Sequence, residues 1–191
     1  QIAALLALDL EHQFELAVED SDPNSKDYDV DVFVECDDPL QYLDDDTEDS
    51  NPFPCVNVSL DSSDGDGGTA SVNKQTVTAQ FFIDCYATGN TSSTADFGTK
   101  ASLKAWKTAR LVRRILRAET NTYLRLRGVV GKVSFKFQSG EPNSVQSAIR
   151  VKMVRITLSV DYVEDVEISE GVVDWEIMGI ITDEKGRIII K

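Results

Sequence analysis

The side chains best suited to chemistry in this 191-residue chain are clustered carboxylates. Asp37 and Asp38 are adjacent, and three aspartates follow one another at residues 44–46. Carboxylates are preferred ligands of Mg²⁺, and a suitably spaced pair can act in glycoside hydrolysis. They lie in an acidic segment, residues 37–54, that is too polar for a core and is typical of a surface loop. Catalysis is therefore the least favoured of the functions that the sequence allows.

Histidine and cysteine offer little for catalysis or for a metal site. His12 is the only histidine, and Cys36, Cys55 and Cys85 are widely spaced without a C-x-x-C pair. A zinc site or a nucleophile–histidine pair would have to be assembled from scattered residues. We predict that His12 is a surface side chain and that the cysteines are reduced and packed as small hydrophobic residues.

The glycine-rich segment at residues 61–68 (DSSDGDGG) does not match a ligand-binding loop. An EF-hand loop that began at Asp64 would place Gly68 at position 5 and Gln75 at position 12, so two required residues are missing. No G-x-x-x-x-G-K-[ST] or G-x-G-x-x-G motif occurs, and the aspartates around these glycines would repel phosphate. The segment is predicted to be a turn, and we expect a protein that is not an enzyme and has no cofactor and no metal.

The formal net charge of −14 is the sum of blocks with opposite signs. Residues 1–50 contain 17 Asp or Glu and one Lys, whereas residues 100–155 contain 14 Lys or Arg and two Glu. Like charges repel over a Debye length of about 8 to 10 Å unless another surface neutralises them. This segregation indicates a protein that binds charged partners.

The basic block centres on a helix predicted from about residue 99 to residue 119. At 100° per residue one face is apolar and should lie on a sheet, whereas the other is basic with Leu103 among the charges. A solvated helix usually mixes Glu with Lys, yet Glu119 is the only acid here. Two interpretations stay open: an ordinary solvated face, or an interface with a negative partner in which Trp106 is an apolar anchor. The apolar face comprises Ala101, Ala105, Ala109, Val112, Ile115 and Leu116. The candidate interface comprises Lys100, Lys104, Trp106, Lys107, Arg110, Arg113, Arg114 and Arg117.

Periodicity places the other elements around this helix. Ala3, Leu6, Leu10, Phe14 and Ala17 have the spacing of an amphipathic helix that ends near Asp20. Alternation predicts strands at residues 28–32, 55–60 and 75–87, and β-branched content predicts more at 129–137, 149–163 and 172–181. The chain is thus predicted to be one α+β domain, residues 1–191. An antiparallel (mixed) β-sheet packs against the N-terminal helix and the long basic central helix, with an acidic loop insertion at 37–54 and a C-terminal hairpin at 172–191.

Hydropathy gives an expectation about location. The longest apolar runs fall far short of the roughly 20 residues needed to cross a bilayer. Residues 1–10 lack the basic segment of a secretory signal. We therefore expect a cytoplasmic product without a membrane partner.

The order of these elements resembles the tail terminator and tail completion proteins of tailed bacteriophages. The most specific stretch is residues 75–126, in which the strand QTVTAQFFIDCYA is followed by a short linker and by the helical segment KTARLVRRILRAETNTYLRL. The likeness is one of element order along the whole chain, and it carries no catalytic signature. The acidic insert at residues 36–51 and the hairpin after Gly171 depart from a minimal member.

The resemblance implies an α/β protomer that closes a homohexameric ring on the head-proximal end of the tail tube. Such a ring ends tail polymerisation and joins the tail to the neck. Its implied partners are copies of itself, the tube protein, a contractile sheath and a neck or head-completion protein. Genomic DNA would pass through the lumen without specific binding. The implied location is the tail or neck of the virion, assembled in the host cytoplasm.

Physical arguments agree with a ring. Subunits of a ring meet head-to-tail through two different, complementary patches, and an acidic patch with a basic helix provides such a pair. A basic lumen would bind DNA phosphates through counterion release, so we expect part of the N-terminal acidic block to face the channel. Reversing charge with Arg113→Glu and Arg114→Glu is expected to prevent assembly while the monomer stays folded.

Three alternatives remain open. A neck or head-completion adaptor is similarly small, acidic and ring-forming. A nucleic-acid-binding module would use the basic helix and would show salt-dependent DNA binding, although no helix-turn-helix, RNP or zinc pattern is present. A hydrolase or metal-dependent enzyme would lose its activity when Asp44, Asp45 and Asp46 are replaced by Asn.

Overall fold

The described residues form an α+β fold with two α-helices and one mixed sheet. The computed structural model of the chain describes residues 2–23, 25–36, 54–65, 74–88, 97–121, 129–140 and 151–165. The predicted α+β class with a mixed sheet is confirmed. In chain order the elements are α1 (Ile2–Glu19), a 3-10 turn (Ser25–Asp27), β1 (Asp31–Val34), β2 (Cys55–Gly65), β3 (Lys74–Thr88), α2 (Phe97–Leu116), β4 (Val129–Gly140) and β5 (Val151–Asp165).

The described strands form one five-stranded sheet in the order β1-β2-β3-β5-β4. The β1–β2 pair is parallel, and the other three pairs are antiparallel. The longest pairing joins β3 to β5, in register from Lys74 opposite Asp165 to Thr88 opposite Val151. Among the described strands, β1 and β4 therefore lie at opposite edges of the sheet.

One face of the sheet and both helices share the main core. Residues of one parity on each strand point to this face, because side chains alternate along a strand. The alanines of α2 allow its backbone to lie close to the strands. Each fully buried Leu, Ile or Val contributes about 1.5 to 3 kcal/mol. The core includes Leu6, Leu10, Val32, Val56, Ile83, Ala105, Ala109, Val112, Val154, Ile156 and Leu158.

The end of α1 is set by a local hydrogen-bonding motif. Ser21 has a φ of 55°, the left-handed conformation that follows many helices. The N–H of Ser21 donates to the carbonyl of Val18 at 3.0 Å, and the N–H of Asp22 donates to that of Ala17 at 2.9 Å. These two bonds are the Schellman arrangement, and Pro23 follows it. The predicted end near Asp20 is confirmed.

The first strand differs from its prediction. The alternation of residues 28–32 predicts a strand with one wet, acidic face, but β1 runs from Asp31 to Val34. Val32 and Phe33 are both buried, Val32 in the main core and Phe33 in a second cluster on the opposite face with Cys55. A strand is therefore found here, but its predicted bounds were wrong, because aspartates already alternate with apolar residues before the strand begins.

The predicted turn at residues 61–68 is also wrong in part. Residues 61–65 belong to β2 and pair with β3, with Ser62 opposite Gln80 and Gly65 opposite Val77. A register shift between Leu60 and Ser62 marks an irregularity in the pairing. The polar composition of DSSDG is tolerated because these residues are exposed and the backbone ladder supplies the pairing. Residues 66–68 lie outside the described residues.

Several predicted features fall where the structure gives no description. They are the acidic loop up to residue 53, the strand at residues 172–181 and the C-terminal hairpin at 172–191. Pro54, the last residue of the loop, is buried. Neither of the two described helices is long and apolar enough to cross a membrane.

Asn121 joins the end of α2 to α1. It is 1 % exposed, and its Nδ2 donates to Oδ2 of Asp9 at 2.6 Å and to the carbonyl of Ile115 at 2.8 Å. Asn121→Ala is expected to lower the free energy of unfolding by about 2 kcal/mol, since a buried carbonyl loses its donor. Urea unfolding measures this loss. A change below 0.5 kcal/mol, within the usual range of surface substitutions, would contradict the structural role of this amide.

The buried cysteines predict how stability depends on pH. Cys55 and Cys85 are free and fully buried, as predicted, whereas Cys36 is only half-buried. Burial raises the pKa of both buried thiols well above the ordinary value. Above about pH 8.5 the unfolded chain releases these protons and the folded chain keeps them, so stability falls as pH rises.

The expected slope is up to about 1.4 kcal/mol per pH unit for each thiol. Urea unfolding between pH 8 and pH 10 measures it. The variant Cys85→Ala has one buried thiol fewer and should show a shallower slope, even if its stability at pH 7 is lower. Equal slopes for the two proteins would contradict the prediction.

Candidate interface on helix α2

The basic helix was predicted from charge and residue spacing, and the structure shows what surrounds its described side chains. α2 presents Ala101, Ala105, Ala109, Val112, Ile115 and Leu116 inward, and all six are buried. Thr108 is also buried on this side, where its hydroxyl donates to the carbonyl of Lys104 at 3.2 Å. The remaining circumference divides into three parts with different surroundings.

The first part faces the 3-10 turn. Nζ of Lys107 lies 3.2 Å from Oδ2 of Asp27, and Nζ of Lys104 lies 3.7 Å from Oδ1 of the same carboxylate. These side chains are partly exposed, so each pair contributes about 1 kcal/mol or less. Two of the predicted interface cations are therefore partly neutralised by a carboxylate of the same chain.

The second part faces β4. The ring of Trp106 stacks on that of Phe137, with centroids 6.1 Å apart and planes 20° from parallel. The guanidinium carbon of Arg113 lies 5.4 Å from the centroid of the same ring. Cation–π contacts of this kind contribute about 0.5 to 1 kcal/mol at exposed sites. Trp106, predicted as an anchor for a partner, is half-buried and packs on its own chain.

The third part is the outermost line of α2, which we call the crest: Leu103, Arg110 and Arg114. On a wheel of 100° per residue these three lie within about 40° of one another. Leu103 is 60 % exposed, and both arginines are exposed. Within the described residues, neither arginine has a carboxylate at salt-bridge distance. The crest therefore combines an uncovered apolar side chain with two cations that lack a described partner.

Two other predicted residues flank the crest. Lys100 lies near the start of α2, and Arg117 lies just after its end, where its N–H donates to the carbonyl of Arg113 at 3.1 Å. Both side chains are exposed. The eight predicted residues thus lie on one helix and its C-terminal extension, and two of them, Arg110 and Arg114, share the crest with the exposed Leu103.

A buried ion pair on the other face of the sheet was missed by the sequence analysis. Period-two alternation along β3 predicts that Asp84 lies on the face opposite the main core, and the structure shows that it is only 4 % exposed there. Nε and Nη2 of Arg155 donate to its two carboxylate oxygens at 2.7 and 2.8 Å. The guanidinium carbon of Arg155 lies 4.1 Å from the centroid of the Phe82 ring. The hydrogen bonds to Asp84 raise the pKa of Arg155 above its ordinary value.

The same alternation places Tyr86 on this face, where it is also buried, in the second cluster with Phe33 and Cys55. The pattern along β3 gives no signal for either correction. The only signal lies in the pairing of β3 with β5, which sets Asp84 opposite Arg155. Both features belong to the packing on the second face of the sheet.

The described acidic residues do not assemble a metal centre. Within the residues that the structure describes, no group of three or more His, Cys, Asp or Glu side chains is placed to hold a metal ion. His12 is exposed, as predicted, with Nδ1 3.9 Å from a carboxylate oxygen of Glu15. The aspartates at residues 44–46 lie outside the described residues.

The chemistry that α2 offers is recognition of negative groups. A guanidinium is planar and always charged, and it donates two parallel hydrogen bonds to a carboxylate or a phosphate. An exposed leucine between such groups favours a protein surface, because apolar contact area adds to charge pairing. Neither a protein-family model nor a curated protein matches this chain.

Proposed function

We propose that this chain is a structural virion protein of a tailed phage. It forms a homohexameric ring on the head-proximal end of the tail tube, ends tail polymerisation and joins the tail to the neck. The observation that supports this function is the crest of α2. Its two arginines and Leu103 are exposed on a protein whose net charge is −14. A basic, partly apolar line on an acidic protein is complementary to the rest of its own surface.

The arrangement of the protomer supports a head-to-tail assembly. α1 packs near β1 at one edge of the described sheet, and α2 packs over β3 and β5 toward the other edge. Acidic and basic surfaces therefore lie on different parts of the protomer. A closed ring needs two such different patches on each subunit. In this proposal α2 is the basic central helix that contacts the next subunit, and its flanking cations contact the tube or a sheath.

The proposal also gives the acidic surface of α1 a role in the ring. Glu11, Glu15 and Glu19 are exposed on α1. Carboxylates that are not used between subunits face the channel, where they repel the phosphates of the passing genome. The neck or head-completion protein docks on the ring from the side opposite the tube.

Tube length tests this function. The tail tube protein of the same phage is polymerised with and without this chain, and tubes are measured by electron microscopy. Short tubes that carry a ring at one end are expected. Tubes of unchanged length without a ring at either end would contradict the proposal. A ring one layer away from the tube end, seen only on intact necks, would indicate the neck-adaptor alternative.

A nucleic-acid-binding module is a second candidate because the same crest arginines can donate to phosphates. This alternative predicts DNA binding whose affinity falls steeply as salt concentration rises. The ring function predicts no binding to DNA at physiological salt. Fluorescence anisotropy with a labelled duplex at two salt concentrations separates the two functions.

A further inference from the structure

A pocket lies between α1 and the segment that leads into β1. This pocket is open to the surface and has a volume of about 260 Å³, and its walls include Glu11 and Phe14 of α1 together with Tyr28, Asp29 and Asp31. Glu11 and Asp29 are exposed carboxylates, whereas Phe14 and Tyr28 are half-buried. The pocket therefore combines negative charge with aromatic walls.

This combination selects one kind of ligand. No described group of three or more acidic, His or Cys side chains is placed to hold a metal ion, so these carboxylates do not form a cation cage. Aromatic faces attract organic cations, and guanidinium groups stack on them while donating hydrogen bonds to carboxylates. The chemistry of the pocket thus fits an arginine side chain.

We propose that this pocket receives an arginine of the α2 crest, Arg110 or Arg114, from a second copy of the chain. The inference rests on the proposed ring function and names the contact that closes the ring. The crest supplies the complementary partner, because its arginines are exposed and have no carboxylate at salt-bridge distance among the described residues. Leu103 of the incoming crest adds apolar contact beside the aromatic walls.

The contact is between copies and not within one. The flank of α2 that faces the 3-10 turn carries Lys104 and Lys107, which already pair with Asp27 of their own protomer. The crest lies further round the helix, and within the described residues neither of its arginines is at salt-bridge distance from a carboxylate of its own chain, the pocket carboxylates included. A pocket on one element and a crest on another make a heterologous interface, and repeated use of such an interface generates a ring or a filament.

The test uses two charge-reversed proteins and their mixture. The pocket variant is Glu11→Lys with Asp29→Lys, and the crest variant is Arg110→Glu with Arg114→Glu. Each alone is expected to lose self-association by on the order of 100-fold, since like charges then face each other at every contact. An equal mixture should assemble again. Each reversed crest finds a reversed pocket, and each natural crest finds a natural pocket, so the two variants alternate.

Light scattering measures the mass of the assembly in each sample. Thermal melting followed by circular dichroism verifies that every variant is folded. The matched control, Asp20→Lys with Asp64→Lys, makes the same charge change at two exposed residues outside the pocket walls and should assemble like the unmodified chain. A pocket variant that assembles normally, or a mixture that stays dissociated, would overturn the pocket assignment and leave the ring function standing. An unmodified chain that stays monomeric even with tail tubes would overturn the ring function itself, and with it this inference.

Discussion

Replacing Arg155 by Met is expected to lower the free energy of unfolding by about 3 kcal/mol. The substitution keeps the volume of the side chain and its contact with Phe82, but it leaves the carboxylate of Asp84 buried without its counter-charge. Asp84 is 4 % exposed, so water cannot fully replace the two lost hydrogen bonds. The loss falls at the low end for buried pairs because the Arg155 side chain is itself 35 % exposed. Urea unfolding at neutral pH measures the change.

Two further variants separate the ion pair from other effects. Asp84→Leu with Arg155→Met removes both charges and is expected to recover most of the lost stability, since an apolar pair of similar volume has no desolvation cost. Lys136→Met removes an exposed cation from the neighbouring strand β4 and should change stability by less than about 0.5 kcal/mol. A single variant Arg155→Met as stable as the original chain would show that Asp84 does not depend on Arg155.

Reversing the crest with Arg110→Glu and Arg114→Glu is expected to abolish assembly without unfolding the monomer. Both side chains are exposed, so their replacement breaks no described salt bridge and disturbs no core packing. This pair is a sharper test than Arg113→Glu with Arg114→Glu, because Arg113 lies over the ring of Phe137 and contributes to packing. Capping of tail tubes and melting temperature are the two measurements.

A matched control distinguishes loss of the interface from a general effect of net charge. Lys26→Glu with Lys136→Glu makes the same charge change at two exposed residues outside α2. This variant should cap tubes like the unmodified chain. Loss of capping by both variants would indicate a general charge effect, and normal capping by the crest variant would contradict the interface.

Sequence periodicity was sufficient to predict the parts of the fold that depend on local spacing. The apolar faces of α1 and α2, and the core residues of β3 such as Ile83 and Cys85, follow from periods of 3.6 and two. The pairing of Asp84 with Arg155 does not, because it depends on the register of two strands that are 71 residues apart. Residues 61–65 likewise become a strand through pairing with β3, against their own composition.

The candidate interface shows the same division between local and non-local information. The sequence locates a basic face on one helix, since charge and spacing are local properties. The sequence does not predict that Lys104 and Lys107 form ion pairs within the chain, because these pairs depend on where Asp27 lies after folding. The environment of Trp106 depends in the same way on the position of Phe137 in β4. The pocket beside α1 is lined by residues of α1 and by residues 28–32, which are distant in the sequence. No local sequence pattern therefore predicts this pocket.

The most direct test of the ring function is the mass of the purified protein by light scattering, at low and raised salt and over a range of concentration. The proposal predicts the mass of six copies, or a monomer that reaches that mass when tail tubes are added. Raised salt should weaken the assembly, because charged contacts are screened. A strict monomer that ignores tail tubes and gains mass only when DNA is added would contradict the ring and would assign the crest of α2 to nucleic-acid binding.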